Sequence, residues 1–170
     1  MRGRGFESLM GAALARGRGD LETRSLALRD AGLWPKGRGR YGPQLDRDAL
    51  ACGLLAHFGA AKPSRAVEAC MAFGELVEQV TLGRRLVKVL ASLLADPDEA
   101  GGVRLVILNR TRISAQIVLR DGASRLFSPK NAEASAFDAA GEAGIIDGEL
   151  LRALALEARE SLAEAPAPQA

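Results

Sequence analysis

Histidine, tryptophan and tyrosine each occur once in this chain of 170 residues, and cysteine occurs twice. A single histidine, His57, would have to fill every imidazole role alone, and it lies between apolar residues typical of a half-buried helix position. Cys52 and Cys70 have neither metal-binding nor redox spacing. The sequence also has no Walker loop, paired-carboxylate motif or nucleophile elbow. We therefore predict a protein that is not an enzyme and that uses no metal or cofactor.

Long apolar runs are missing as well. A helix that spans a bilayer needs about 20 consecutive apolar residues, and no segment approaches that length. The apolar patch at residues 9–14 is too short for a signal peptide, and Arg16 and Arg18 follow it at once. We expect no export, no membrane partner and a cytoplasmic location, where both cysteines stay reduced.

Aromatic residues make up only 4% of the chain, so leucine, valine and alanine must fill its core. The hydrophobic content of 48% and the charged content of 26% are typical of a globular protein. The length suits one ordinary domain or two small ones.

Positive charge is concentrated in two segments. Residues 1–47 have ten Lys and Arg against five Asp and Glu, and residues 103–130 have six against one. The remaining segments are acidic, so the net charge of +2 conceals this distribution. Local basic surfaces attract polyanions such as nucleic acids. For the second segment, an ordinary solvated face is an equally good interpretation.

Three helices are predicted in the first third of the chain, at residues 6–15, 21–31 and 47–58. Asp20 and Asp46 stand where they can cap the second and third helices, and Gly32 suits the end of the second. The stretch GLWPKGRGRYGP begins at Gly32. Its two prolines and four glycines exclude a helix, and it combines the only tryptophan and tyrosine with three cations and no acid.

The remainder of the sequence predicts an α+β fold. Apolar residues repeat at helical spacing over residues 65–95, which predicts one long helix, kinked or split at Gly83, for the core or for dimerisation. Alternating residues within 103–128 predict a three-stranded antiparallel meander. Helices are expected at 132–143 and 147–162. We divide the chain into units 1–62, 63–100 and 101–163, followed by a disordered tail at 164–170.

A capped helix, Gly-Leu-x-Pro, a basic loop ending in an aromatic and a second acid-capped helix follow one another over residues 6–58. This order resembles the winged helix-turn-helix of the MerR family of DNA-binding proteins, and the chain also looks like small prophage-encoded helix-turn-helix proteins. The resemblance implies that helix 21–31 enters the major groove and that loop 34–43 is the wing on the DNA backbone. It implies a non-catalytic phage or bacterial transcription regulator that binds double-stranded DNA, and we expect a homodimer formed through the long helix.

The resemblance assigns DNA contacts to individual residues. They are Thr23, Arg24, Ser25 and Arg29 on the recognition helix, and Lys36, Arg38, Arg40 and Tyr41 in the wing. Leu33 and Trp34 would pack the root of the wing. The paired aromatics usual on the recognition helix of that family are absent here, where Ala27 and Leu28 stand. The residue types support the wing independently, because glycines let a backbone approach the sugar-phosphate chain while arginines bind phosphate in a bidentate manner.

Two alternatives stay open. Glycine-arginine runs are common in linkers, so one alternative is a solvated turn that Trp34 and Tyr41 pin to the core. The other is a protein-binding adaptor that acts through residues 103–163, because a small sheet has two edges that can pair with another chain.

Overall fold

The computed structural model describes residues 1–36, 44–80, 83–130 and 141–163, with side chains described up to residue 161. Within these ranges the helices are α1 (Gly3–Leu14), α2 (Arg18–Asp30), α3 (Arg47–Gly59), α4 (Ala66–Gly74), α5 (Leu86–Leu93), α6 (Pro97–Gly101) and α7 (Gly148–Ala163). The strands are β1 (Val77–Glu78), β2 (Val103–Asn109), β3 (Ser114–Leu119), β4 (Ser124–Ser128) and β5 (Ala143–Asp147). None of these helices is both long enough and apolar enough to cross a membrane.

The three helices predicted in the first third of the chain are confirmed as α1, α2 and α3. Asp46 caps α3 as expected, since its carboxylate accepts a hydrogen bond from the Ala49 N–H. Gly32 has a φ of +73°, which suits the end of α2. The cap predicted at Asp20 is wrong, because α2 begins at Arg18 and Asp20 lies in its first turn.

The prediction of one continuous helix over residues 65–95 is also wrong, and the segment is split on both sides of Gly83, where the sequence left a kink or a split open. A 3-10 turn, Pro63–Arg65, leads into α4, and the chain then extends through β1 and returns into α5. Backbone bonds from Glu78 N to Arg84 O (3.0 Å) and from Leu86 N to Leu76 O (2.8 Å) close this hairpin. Because α4 and α5 both bury their apolar residues in the same core, the helical spacing of apolar residues continues across the break. The sequence pattern therefore does not show where one helix ends and the next begins. The continuous apolar stripe proposed for dimerisation therefore does not exist.

The sheet has five antiparallel strands in the order β1-β4-β3-β2-β5. The predicted meander is confirmed as β2, β3 and β4, but the expected three-stranded sheet gains a strand at each edge. The β1 strand comes from the segment predicted as a long helix. The β5 strand begins at residue 143, where the sequence predicted the end of a helix over residues 132–143; residues 132–140 of that helix lie outside the described ranges.

One hydrophobic cluster joins all parts of the described chain, from Met1 to Ala158. Buried residues of the sheet such as Val106, Ile117 and Ile146 meet the buried face of α7, including Leu151, in this cluster. The α3 helix lies in the centre, and every residue from Gly53 to Gly59 is buried. The first helices are therefore anchored on a shared core. The tail predicted at residues 164–170 lies outside the described residues.

Candidate nucleic-acid interface

The basic loop after α2 starts from a buried anchor. The side chain of Trp34 is only 2% exposed, and its indole Nε1 donates a hydrogen bond to the carbonyl oxygen of Ala49 over 2.7 Å. The ring of Phe6 meets the indole edge-on, with centroids 5.4 Å apart. A side chain at Gly53 would collide with both rings, because its Cβ would lie 2.8 Å from the indole. Trp34 therefore fixes the point at which the loop leaves the core.

The returning end of the loop is fixed as well. Gln44 forms an isolated antiparallel bridge with Arg2, and the Leu45 N–H donates to the Met1 carbonyl over 2.8 Å. The Leu45 side chain is buried, and the Gln44 amide donates to the carbonyl of Ser161 near the end of α7. Both ends of the segment between Trp34 and Gln44 are thus held on one rigid core.

Exposed cations surround these two anchor points. Lys36 is exposed at the start of the loop, and Arg2 and Arg4 are exposed where α1 begins. Three of the residues assigned to the wing, Arg38, Arg40 and Tyr41, lie outside the described residues.

Two of the four residues assigned to the recognition helix, Arg24 and Ser25, are buried in the protein. The side chain of Arg24 is fully buried, and its Nη1 donates to the carbonyls of Ala56 and Ala60, each at 3.1 Å. Its Nε donates to the Asp20 carboxylate. Ser25 is also fully buried. Because both side chains point into the protein, neither can reach a DNA base in this structure, and we remove both from the DNA-contacting set.

The other two residues assigned to α2 are at least partly accessible. Thr23 is exposed, although its hydroxyl donates to the Gly19 carbonyl over 2.7 Å. Arg29 is partly buried, with Nη2 3.4 Å from Glu7 and its guanidinium 5.9 Å from the centre of the Trp34 ring. The exposed positions near them on α2, Leu26 and Asp30, carry no positive charge. The outward face of α2 is therefore not basic.

Arginines collect instead at the C-terminal end of α3. Besides Arg24, Arg16 donates to the His57 carbonyl over 2.9 Å, and Arg110 donates twice to the Phe58 carbonyl, at 2.7 and 3.2 Å. Positive charge here is favourable, because the last carbonyls of a helix lack intrahelical partners and carry the negative end of its dipole. The cluster therefore caps α3.

His57 lies inside this cluster and is neutral. Burial, followed by repulsion from Arg24 and Arg16, lowers its pKa to about 3. Neither ring nitrogen has a hydrogen-bond partner among the described residues. The sequence carried a signal of this buried site, because Arg24 shares a helical stripe with Leu21 and Leu28, both of which are buried.

The second basic segment, within residues 103–130, is largely used for internal contacts. Besides Arg110, Arg120 donates to the Gly101 carbonyl over 2.7 Å and pairs with Glu149. Arg125 forms a bidentate pair with Glu78, at 2.6 and 2.9 Å, and the Glu78 side chain is only 4% exposed. These arginines hold the sheet to its neighbours, so this segment does not form a second uninterrupted basic surface.

Comparison of the chain with protein-family models, curated proteins and solved structures gives no match. Across the described ranges no group of three or more His, Cys, Asp or Glu is arranged to hold a metal ion. Both cysteines are free thiols.

Proposed function

We propose that this protein binds double-stranded DNA without catalysing a reaction, chiefly through contacts between the basic loop 34–43 and the phosphate backbone. The observation that carries this proposal is the anchoring of both loop ends, by Trp34 on one side and by the bridge between Gln44 and Arg2 on the other. A loop fixed in this way can present Lys36, Arg38 and Arg40 to a ligand with a smaller entropic cost than a free linker would incur.

The described surroundings add further positive charge. Arg4 is exposed near the returning end of the loop, so positive charge is present beyond the loop itself. Trp34 is buried and therefore acts as an anchor rather than as a stacking platform for bases. Tyr41 remains a proposed contact at the returning side of the wing.

Sequence-specific readout has less support than phosphate binding. With Arg24 and Ser25 inside the protein, Thr23 and Arg29 are the assigned residues that remain on α2. Phosphate contacts carry no direct sequence information. We therefore propose that the protein prefers particular sites only modestly, and that any role as a phage or bacterial transcription regulator in the cytoplasm depends on that preference.

The proposal is tested by fluorescence anisotropy with labelled duplexes of several unrelated sequences. We expect binding to every duplex at low salt, with affinities that differ little and weaken steeply as salt is raised. Binding to none of the duplexes at low salt would contradict DNA binding.

A homodimer remains part of the proposal, because two copies would double the number of phosphate contacts. The interface first expected, one long helix over residues 65–95, is not available. Light scattering at high micromolar concentration decides this point, since a mass near 17.9 kDa would identify a monomer.

A protein-binding adaptor is the second candidate, and one observation favours it. Ile145 on the edge strand β5 is 57% exposed, and its register neighbour Ile107 is only partly buried. An edge strand with an exposed apolar residue can pair with a partner chain. A pull-down of one defined partner that resists moderate salt and is lost in Ile145→Asp would favour this candidate.

A further inference from the structure

A groove with arginines along its walls separates α1 from α2. Its volume is about 450 Å³, and its walls include Arg4 and Ser8 from α1 and Arg16 and Arg18 from the start of α2 and the residues before it. The two helices approach closely at its floor, because a Cβ on Gly11 would lie 3.2 Å from the Leu21 side chain. The groove therefore opens between two charged walls over a floor formed by Gly11 and Leu21.

Two acids beside this groove, Glu7 in its wall and Asp20, are paired with arginines inside the protein fold, Arg29 and Arg24. The Glu7 side chain is 17% exposed and lies 3.4 Å from Arg29 Nη2. Asp20 accepts a hydrogen bond from the buried Arg24, which lowers the pKa of its carboxyl and keeps it ionised and occupied. In contrast, Arg4 is exposed and the Arg18 side chain is 85% exposed. The groove is therefore lined by three arginines, Arg4, Arg16 and Arg18, and by one carboxylate, Glu7, which already has a partner.

Arg16 has a different role from the two exposed arginines. Its side chain is 21% exposed, and its Nη1 donates to the His57 carbonyl at the end of α3. It contributes charge to the groove but cannot leave this contact without cost to α3. Arg4 and Arg18 are therefore the cations that can move onto a ligand.

The groove begins close to the anchored end of the proposed basic loop. The bridge between Arg2 and Gln44 joins the returning end of the loop to the residue that precedes α1. Arg4 lies in the first turn of α1, two residues after that bridge. A polyanion that lies along the loop can thus continue toward the groove.

We infer that this groove binds a second stretch of the DNA phosphate backbone, with Arg4 and Arg18 as the contacting cations. The inference rests on the proposed DNA binding and adds a contact that does not involve the loop. Glu22 competes for this contact, because its carboxylate lies 2.6 Å from Arg18 Nε in an exposed pair. Removing the Glu22 charge would therefore release Arg18 for phosphate.

The test compares wild-type protein with Arg4→Gln/Arg18→Gln in salt titrations on one duplex. Two lost phosphate contacts should flatten the slope of log K against log salt by roughly 2 units. The matched control is Arg65→Gln/Arg104→Gln, which removes two exposed arginines away from the groove and should keep the wild-type slope. All variants change exposed side chains, and equal melting temperatures confirm that they are folded.

A second variant removes the negative charge of Glu22, the partner of Arg18, and should strengthen DNA binding instead of weakening it. Glu22→Gln should tighten DNA binding about two- to fivefold, the range expected when an exposed ion pair stops competing. Glu68→Gln is its matched control, because Glu68 forms a similar exposed pair with Arg65 at i,i+3 and should leave affinity unchanged.

The outcomes separate this inference from the proposed function. If wild-type protein binds DNA but the double variant keeps its salt slope, or Glu22→Gln behaves like Glu68→Gln, the groove contact is overturned and the loop proposal stands. If wild-type protein does not bind DNA at low salt, both are overturned.

Discussion

The indole Nε1 of Trp34 donates a hydrogen bond to the carbonyl oxygen of Ala49, 2.7 Å away and fifteen residues further along the chain. This bond ties the start of the basic loop to the first turn of α3. The only tryptophan could anchor the loop or stack on nucleic acid. A stacking residue would be exposed, whereas Trp34 is 2% exposed, so its role is that of an anchor.

We predict that Trp34→Ala lowers the free energy of unfolding by about 3–5 kcal/mol, the usual effect of removing a buried aromatic side chain. Trp34→Phe keeps part of the ring volume but loses the bond to Ala49, so its effect should be smaller. Urea unfolding curves measure both. A loss below about 1 kcal/mol for Trp34→Ala would contradict burial at the loop root.

A second prediction concerns the buried Arg24. Arg24→Met should destabilise the protein by about 2–4 kcal/mol, because it leaves the Ala56 and Ala60 carbonyls and the Asp20 carboxylate without their donor. Arg18→Met on the same helix is the control and should be nearly neutral for stability, since the Arg18 side chain is 85% exposed. Equal stabilities of the two variants in denaturant titrations would argue against the buried position of Arg24.

The close approach of β5 to α3 gives a third prediction. A Cβ on Gly144 would lie 1.9 Å from the Phe58 carbonyl oxygen, which also accepts hydrogen bonds from Arg110. Gly144→Ala should therefore destabilise the protein by about 3 kcal/mol, the upper end of ordinary overpacking effects. Gly19→Ala in α2 has no atom within 4 Å of the new Cβ and should be neutral or stabilising by up to about 1 kcal/mol. Thermal melts distinguish the two, and a neutral Gly144→Ala would show that β5 does not pack on α3 in this way.

The neutral His57 predicts a dependence of stability on pH. Its pKa is about 3 in the folded protein and about 6.5 in an unfolded chain, so between these values the unfolded chain binds a proton that the folded protein does not. Stability should therefore fall as pH is lowered from about 6.5 toward 4.5. The contribution of Asp20, whose pKa is lowered by its bond from Arg24, is present above its unfolded pKa and is lost only at more acidic pH.

The control for this prediction is His57→Leu, which replaces the only histidine with an apolar side chain. Neither ring nitrogen of His57 has a partner to lose among the described residues. Urea unfolding at pH 6.5, 5.5 and 4.5 should give a shallower decline for His57→Leu than for wild-type protein. Parallel declines would show that His57 is not buried in its neutral form.

The sequence predicted those parts of the fold that depend on local signals. Asp46 and Gly32 marked helix ends because capping and left-handed backbone are properties of single residues. The meander of β2, β3 and β4 was predictable because alternation and short turns are local too. A break at Gly83 was visible in the sequence, but the hairpin with its strand β1 between α4 and α5 was not, because both helices present apolar residues to one core and the repeat continues across Gly83.

In the candidate site, too, the sequence did not predict contacts between distant segments. The stripe of Leu21, Arg24 and Leu28 was visible in the sequence, but the charge of Arg24 favoured an exposed role. Arg24 is buried instead because it donates hydrogen bonds to the carbonyls of Ala56 and Ala60 at the C-terminal end of α3. These carbonyls lie more than thirty residues away in the sequence. Such long-range satisfaction of backbone groups has no local signature. The anchoring of the loop by Gln44 and Arg2 likewise depends on a contact between distant segments.

The salt dependence of DNA binding in the variant Lys36→Gln/Arg38→Gln/Arg40→Gln is the most direct test of the proposed phosphate contact. Each cation that contacts a phosphate contributes about 0.9 to the slope of log K against log salt, so the slope should flatten by roughly 2 to 3 units per protomer. The weakening should be similar on unrelated duplexes, because phosphates carry no sequence information. A triple variant that binds DNA with the wild-type slope would show that the loop does not contact DNA.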